Sequence, residues 1–373
     1  MTISSRTASP GLTDVLPAVA SHLGVPALTD RLGLPAAQRY VVFMVDGLGW
    51  EPLLGVLSEL PHLADLMDTA QQIDTVIPST TAAALVSFGT GLPPGQHGFI
   101  GYRFWDPELA KYVAPLNWDP HRQPDYYQPQ PTILERIGRT DASVTAVIPP
   151  DQVTSGFSRA ALRGAQPIGV ANDDLAEWVH QVVAATQLSP RSLVYTYDFR
   201  LDQAGHGYGV ASQEWLDQAR QLDHRVGLLR AGLGSDTVLL ITGDHGMVDV
   251  PPQRHCRIEQ TPELAAGLDR VAGEARFRHL YTSQPDLVAA RWRDYVGERA
   301  EVKLKAEAIA DGWFGPVAAQ AEARLGDVMV AATGNWAFIT RHAKFEAGMV
   351  GMHGSITSRE MRLPLFISHG SAD

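Results

Sequence analysis

The chain has a single cysteine, Cys256, among 373 residues. An intrachain disulfide is therefore excluded, and a thiolate metal cluster has nothing to be built from. Cys256 adjoins His255, but the pair reads more simply as a small buried or idle thiol than as a metal site. Long apolar runs are missing too: no stretch approaches the roughly 18 residues that a membrane helix needs. The first ten residues, Met1 to Pro10, hold no apolar stretch of signal-peptide length. A lone thiol and no membrane span lead to the expectation of a cytoplasmic protein. Positive charge is scarce, with 30 Lys and Arg against 41 Asp and Glu and a formal net charge of −11. Binding to a nucleic-acid polymer needs a basic face, so none is expected. The acidic excess does not exclude a small phosphate ester, because bound metal cations reset the local field. Internal repeats and low-complexity tracts are also absent, and 45% hydrophobic with 19% charged residues is the composition of a globular protein.

What the chain does have is three aspartates and three histidines at marked places. Asp46 closes the apolar run Tyr40-Val41-Val42-Phe43-Met44-Val45, and Asp244-His245 follow Val238-Leu239-Leu240-Ile241-Thr242-Gly243. Asp202 and His206 lie a few residues past Leu193–Tyr197, and His353 stands in Gly351-Met352-His353-Gly354. Continuous apolar runs of this length are buried strands of a parallel sheet, and ligands bind beyond the carboxyl ends of such strands. Carboxylate and imidazole donors without a thiolate suit Zn²⁺ or Mn²⁺.

The order of the motifs carries a resemblance. Asp46-Gly47, Pro78-Ser79-Thr80-Thr81, Thr90-Gly91 with His97-Gly98, Asp202-x-x-Gly-His206, Gly243-Asp244-His245-Gly246 and Gly-x-His353-Gly follow one another along the chain. Each is a common fragment alone; all six in order are not. The chain resembles the nucleotide pyrophosphatase/phosphodiesterase family of the alkaline phosphatase superfamily from position 46 to 353. The resemblance implies two divalent metal ions, Zn²⁺ foremost and Mn²⁺ as the other choice. One would be held by Asp202, His206 and His353. The other would be held by Asp46, Asp244 and His245, with the Thr81 hydroxyl as a further ligand. In that family the nucleophile stands nine residues before a Thr-Gly pair, and Thr81, not Thr80, stands nine before Thr90. Where the family carries a phosphoryl-binding Asn this chain has Tyr102. Its phenol either donates the equivalent hydrogen bond or the ring holds its loop down. His97 has no place in the metal set and is assigned a structural turn.

The resemblance implies an α/β fold, a mostly parallel sheet flanked by helices, with a small inserted cap. Residues 1–38 form a lead-in with a helix at Leu12–Leu23. Residues 39–254 and 346–373 form the catalytic domain, and 255–345 the cap that shapes the pocket. Further strands are expected at Ile73–Ile77, Ala142–Ile148 and Leu363–Ile367. Helices are expected over 52–69, largely helical with a break or restart at Pro61, and over Thr81–Phe88, Asp173–Ala185, Gln213–Leu233, Glu301–Ala310 and Pro316–Leu325. The stretch 101–131, with Tyr102, Phe104, Trp105, Trp118, Tyr126 and Tyr127, is an irregular excursion whose aromatics either stack on a substrate group or anchor the loop. Arg276 and Arg278 belong to a solvated charged face or reach a distal phosphate.

The function so implied is metal-dependent hydrolysis of a phosphodiester or pyrophosphate bond in a small nucleotide-type substrate, through a threonyl-phosphate. A threonine hydroxyl is protonated at neutral pH and needs activation to attack. The alternatives are a phosphomonoesterase or phosphonate hydrolase of the same fold, or a non-catalytic metal-binding relative. No Lys or Arg lies between Asp46 and Gly101, so no cation near Thr81 in sequence meets the extra charge of a monoester. Oligomeric state is not legible.

Overall fold

The apolar run at 40–45 becomes the centre of a seven-stranded sheet. The computed structural model describes residues 10–118, 122–210 and 212–371. The strands of this sheet are β1 (Arg39–Val45), β2 (Gln71–Asp74), β3 (Ser143–Ile148), β4 (Gln166–Gly169), β5 (Ser192–Asp198) and β6 (Thr237–Gly243), closed by the last strand, Arg362–His369. The spatial order is β2, the last strand, β6, β1, β5, β3 and β4. Every pairing is parallel except the two made by the last strand, with β2 and with β6. The mostly parallel α/β expectation is borne out.

Alternation explains why β1 reads as one unbroken apolar run. Tyr40, Val42 and Met44 join the core on one face, and Val41, Phe43 and Val45 the core on the other. Helices α1 (Leu12–His22) and α2 (Thr81–Thr90) cover the first face. The second is covered by α3 (Leu175–Thr186), α4 (Arg200–Tyr208) and α5 (Gln213–Gly232), with Trp178, Leu201 and Trp215 pointing inward. Among the described residues no helix is long and apolar enough to cross a membrane.

A second, antiparallel sheet is built from β7 (Arg270–Glu274), β8 (Phe277–Tyr281), β9 (Ala300–Leu304) and β10 (Val328–Ala332) in the order β7, β8, β10, β9. One of its faces packs on α6 (Pro285–Val296) through Trp292. Phe277, Met329 and Ala331 instead join the core of the large sheet, so the two sheets share apolar packing.

Several expectations need correction. Residues 52–69 restart at Pro61 as expected, but they are more broken than largely helical, as Trp50–Leu54, Leu57–Glu59, Pro61–Ala64 and Met67–Thr69. The strand expected at Ile73–Ile77 is Gln71–Asp74, because it pairs antiparallel with the chain's last strand two residues earlier. Glu301–Ala310 is helical only from Lys305; Ala300, Val302 and Leu304 alternate with Glu301 and Lys303 as strand β9. The excursion at 101–131 contains a hairpin, Phe104–Asp106 with Lys111–Val113.

Candidate active site

Three adjacent central strands, β6, β1 and β5, end at one edge of the sheet, and the marked residues gather there. Asp46 and Asp244 directly follow β1 and β6, and Asp202 sits in the first turn of α4 after β5. Gly47 has φ +76°, and a Cβ on it would lie 3.0 Å from Asp202 Cα. Only glycine allows both that backbone conformation and that approach. One turn along α4, His206 comes to the same side as Asp202, with Nε2 3.3 Å from Asp202 Oδ2. His353 arrives from the segment before the last strand, its Nε2 3.8 Å from Asp202 Oδ1.

Two groups of donors result. Ligand atoms of Asp202, His206 and His353 lie within 4.8 Å of one another, and so do those of Asp46, Asp202 and His245. Asp244 stands at the second group, its Oδ2 3.6 Å from His245 Nε2. The Thr81 hydroxyl faces the same group, 3.1 Å from His245 Nε2 and 3.5 Å from Asp46 Oδ1. Thr81 is the first residue of α2, where the helix dipole favours an approaching anion. Thr80 is the residue before it, and it is fully buried.

The imidazoles are oriented alike. Nδ1 lies 2.8 Å from the Gly351 carbonyl in His206, 3.1 Å from Gly246 O in His245, and 3.0 Å from Ser79 O in His353. A carbonyl only accepts, so each Nδ1 carries a proton and Nε2 is the ring atom that faces the cluster. These Nε2 atoms face carboxylates. Asp244 Oδ1 accepts from the Gly47 and His245 backbone N–H groups, but its Oδ2 and Asp202 Oδ1 are buried with no partner. Burial, then the nearby Asp46, pushes the Asp202 and Asp244 carboxyls well above their ordinary range. Burial opposes a charged His245, yet Asp244 and Asp46 outweigh it and carry the imidazole up to about 10. Burial, with His245 and His206 nearby, pushes His353 well below its ordinary value. Orphaned oxygens, inward-facing Nε2 atoms and acceptor-only second contacts are the residue chemistry of a divalent-cation site. The donors present fit the Zn²⁺ or Mn²⁺ expected.

Beside this cluster opens a cavity of about 450 Å³, lined in part by Thr81, Leu85, Tyr102, Leu116, Phe157 and Phe199. Its wall also includes Tyr195 and Tyr197 and residues from Asp151 to Leu162, and among the described residues no Lys, Arg or member of 255–345 lines it. The segment expected to shape the pocket therefore does not form this wall. Tyr197 donates from its hydroxyl to Asp46 Oδ2, and burial followed by Asp46 holds its phenol well above the ordinary range. These residues escaped the sequence reading. The one available signal was the alternation Tyr195, Tyr197 on the strand leading to Asp202.

Tyr102 lines the cavity and packs edge-on against Phe345. The other aromatics of the excursion serve as anchors: Trp118 packs on Phe99 and Tyr127, and Phe104 and Tyr127 are buried. His97 is a turn residue: Phe99 N–H donates to its Nδ1 and its Nε2 bonds Ser87 Oγ, while burial lowers it to about 3. Arg276 and Arg278 neither face solvent nor line the cavity. Both are fully buried and ion-paired, with Glu360 and Glu346. Cys256 is a buried free thiol near Arg299.

Comparison with known proteins agrees with this geometry. Rat ectonucleotide pyrophosphatase/phosphodiesterase family member 1 is 26% identical over 221 residues, 56% of this chain but 24% of that protein. Mouse family member 7 is 45% identical over 64 residues, 16% of this chain and 15% of that protein. The chain thus spans a quarter or less of these relatives' length. Among solved structures, murine ectonucleotide pyrophosphatase/phosphodiesterase 5 superposes with a TM-score of 0.68 at 19% identity, covering 90% of this chain and 88% of that one. Phosphonoacetate hydrolase from Sinorhizobium meliloti, in complex with phosphonoformate, gives 0.68 at 18% identity, covering 91% and 92%. The sequence profile of type I phosphodiesterases / nucleotide pyrophosphatases matches residues 40–356. The chain belongs to that family, within the alkaline phosphatase superfamily.

Proposed function

We propose that the chain is a two-metal hydrolase that cleaves phosphodiester or pyrophosphate bonds of small nucleotide-type substrates through a threonyl-phosphate on Thr81. The observation that carries this reading is the convergence of inward-facing Nε2 atoms and partnerless carboxylate oxygens of Asp202 and Asp244 around the Thr81 hydroxyl. Asp202, His206 and His353 would hold one ion, and Asp46, Asp244, His245 and Thr81 the other. Bound divalent ions supply the positive charge that the attacking and leaving oxygens require. Thr81 Oγ1 forms the new bond to phosphorus as the bond to the leaving oxygen breaks, and water then hydrolyses the threonyl ester. The α2 N-terminus favours the phosphoryl charge during both steps. Tyr102, at the cavity wall, is positioned to donate to a phosphoryl oxygen.

Residues 39–254 and 346–373 would form the catalytic domain, with 255–345 inserted in it. A cavity that no Lys or Arg lines among the described residues favours a diester, whose second ester group is uncharged, over a monoester or a carboxylate-bearing phosphonate. An AMP complex is known for an inactive form of murine ectonucleotide pyrophosphatase/phosphodiesterase 5, which supports a nucleotide-type ligand. The test is turnover of bis-p-nitrophenyl phosphate and of a nucleotide pyrophosphate by Zn²⁺- or Mn²⁺-loaded protein. Activity should vanish with EDTA and return with metal. No hydrolysis of either substrate by metal-loaded protein would reject the reading.

A further inference from the structure

The hairpin joining β7 and β8 delivers Arg276 into a place the reaction does not use. Its guanidinium meets Glu360 as a two-pronged pair, Nε to Oε1 at 2.8 Å and Nη2 to Oε2 at 2.6 Å, while Nη1 donates to the Trp336 carbonyl. Both side chains are fully buried. Such a pair stabilises a fold weakly or not at all relative to a well-packed apolar pair, because both charges must leave water.

What Glu360 touches points to positioning instead. Its carboxylate accepts from Ser355 N–H at 2.9 Å and from the Thr357 hydroxyl, which fixes the loop just after His353. Its backbone carbonyl accepts from Gly246 N–H at 2.8 Å, the residue after His245. Ser355 in turn accepts at its carbonyl from Ser79 Oγ at 2.6 Å, Gly354 O accepts from Ser79 N–H, and Ser79 O meets His353 Nδ1. One guanidinium on the second sheet therefore reaches all three loops that carry His245, His353 and Thr81. The same hairpin brings Glu274 so close to Gly354, at φ +121°, that a Cβ there would lie 2.5 Å from Glu274 Cγ.

We propose that Arg276 is a positioning residue: through Glu360 it locks the His245, His353 and Thr81 loops at the spacing that metal binding requires. This rests on the two-metal reading above. Groups that touch a metal's ligands directly are worth about 10–100-fold in metal affinity. Arg276 acts further out, through Glu360, so the low end of that range applies, and lysine cannot reproduce the planar fork of arginine. The experiment measures metal retention by chelator competition, with Zn²⁺ as the probe, in wild type, Arg276→Lys and Arg276→Met. Arg324→Met serves as the control, since Arg324 is equally buried but contacts Asp106, Gly98 and Tyr127, outside those three loops. Metal should be held about tenfold more weakly in Arg276→Met and by an intermediate factor in Arg276→Lys, with Arg324→Met within about twofold of wild type. Should the Met variant fail to fold, the Lys variant decides. Wild-type retention in the Arg276 variants, whatever their melting temperature, would overturn the proposal. So would an equal loss in Arg324→Met, which would mean general softening. Wild type that retains no metal would reject the two-metal reading itself and this inference with it.

Discussion

Asp244→Asn should stabilise the metal-free protein, the reverse of what deleting a buried ion pair usually does. Asp244 is fully buried, its Oδ2 has no partner, and the closest charge partner, His245, is shared with Asp46. Without metal, burial and the nearby Asp46 carboxylate both penalise its charged form. Asparagine keeps an oxygen to accept from Gly47 and His245 N–H, and it carries no charge for burial to penalise. An unsatisfied buried group costs about 1–3 kcal/mol, more when charged. For a chain this long each kcal/mol is worth roughly 2 °C, so chelator-treated Asp244→Asn should melt roughly 2–6 °C above chelator-treated wild type at pH 7. The sign with pH is fixed as well. The Asp244 pKa is raised in the folded state, so its contribution to stability is full below the unfolded value, near pH 4, and is lost as pH rises. The gap between variant and wild type should therefore widen as pH rises above about 4. With metal added the order should invert, because wild type, with all its ligands, gains more binding energy than the variant. A metal-free variant that melts below wild type at pH 7 would refute the electrostatic reasoning.

Thr81→Ala should lose activity by roughly three orders of magnitude or more while still binding metal, whereas Thr80→Ala should retain much of it. Steady-state rates and metal titration of the two variants decide this, and equal activity of Thr81→Ala and wild type would remove Thr81 as nucleophile. At equal pH and metal, kcat/KM for bis-p-nitrophenyl phosphate should exceed that for the matching monoester. A monoester preference of tenfold, about 1.4 kcal/mol in transition-state binding, would overturn the diesterase reading and leave the threonine mechanism standing.

How much was legible depended on how local the signal was. Strands β1 and β6 are buried on both faces, so each appears as one apolar run, and Asp46 and Asp244 mark their ends. The order of motifs then named residues that the fold brings together from positions as distant as Asp46 and His353. Strand β9 was missed because Ala300-Glu301-Val302-Lys303-Leu304 consists of residues compatible with a helix, and only its period-two alternation betrays it. Arg276 and Arg278 were read as solvated or substrate-facing because their partners, Glu360 and Glu346, lie 84 and 68 residues away. The cavity wall at 151–162 has no motif, and membership in it follows from how a short helix packs against α2.

The central claim is that two divalent ions, held by three aspartates and three histidines around Thr81, make this chain a hydrolase. Elemental analysis of a preparation actively turning over a phosphodiester tests it most directly. The account predicts about two divalent ions per chain, with activity rising and falling with that number. An active preparation with no stoichiometric metal would contradict it.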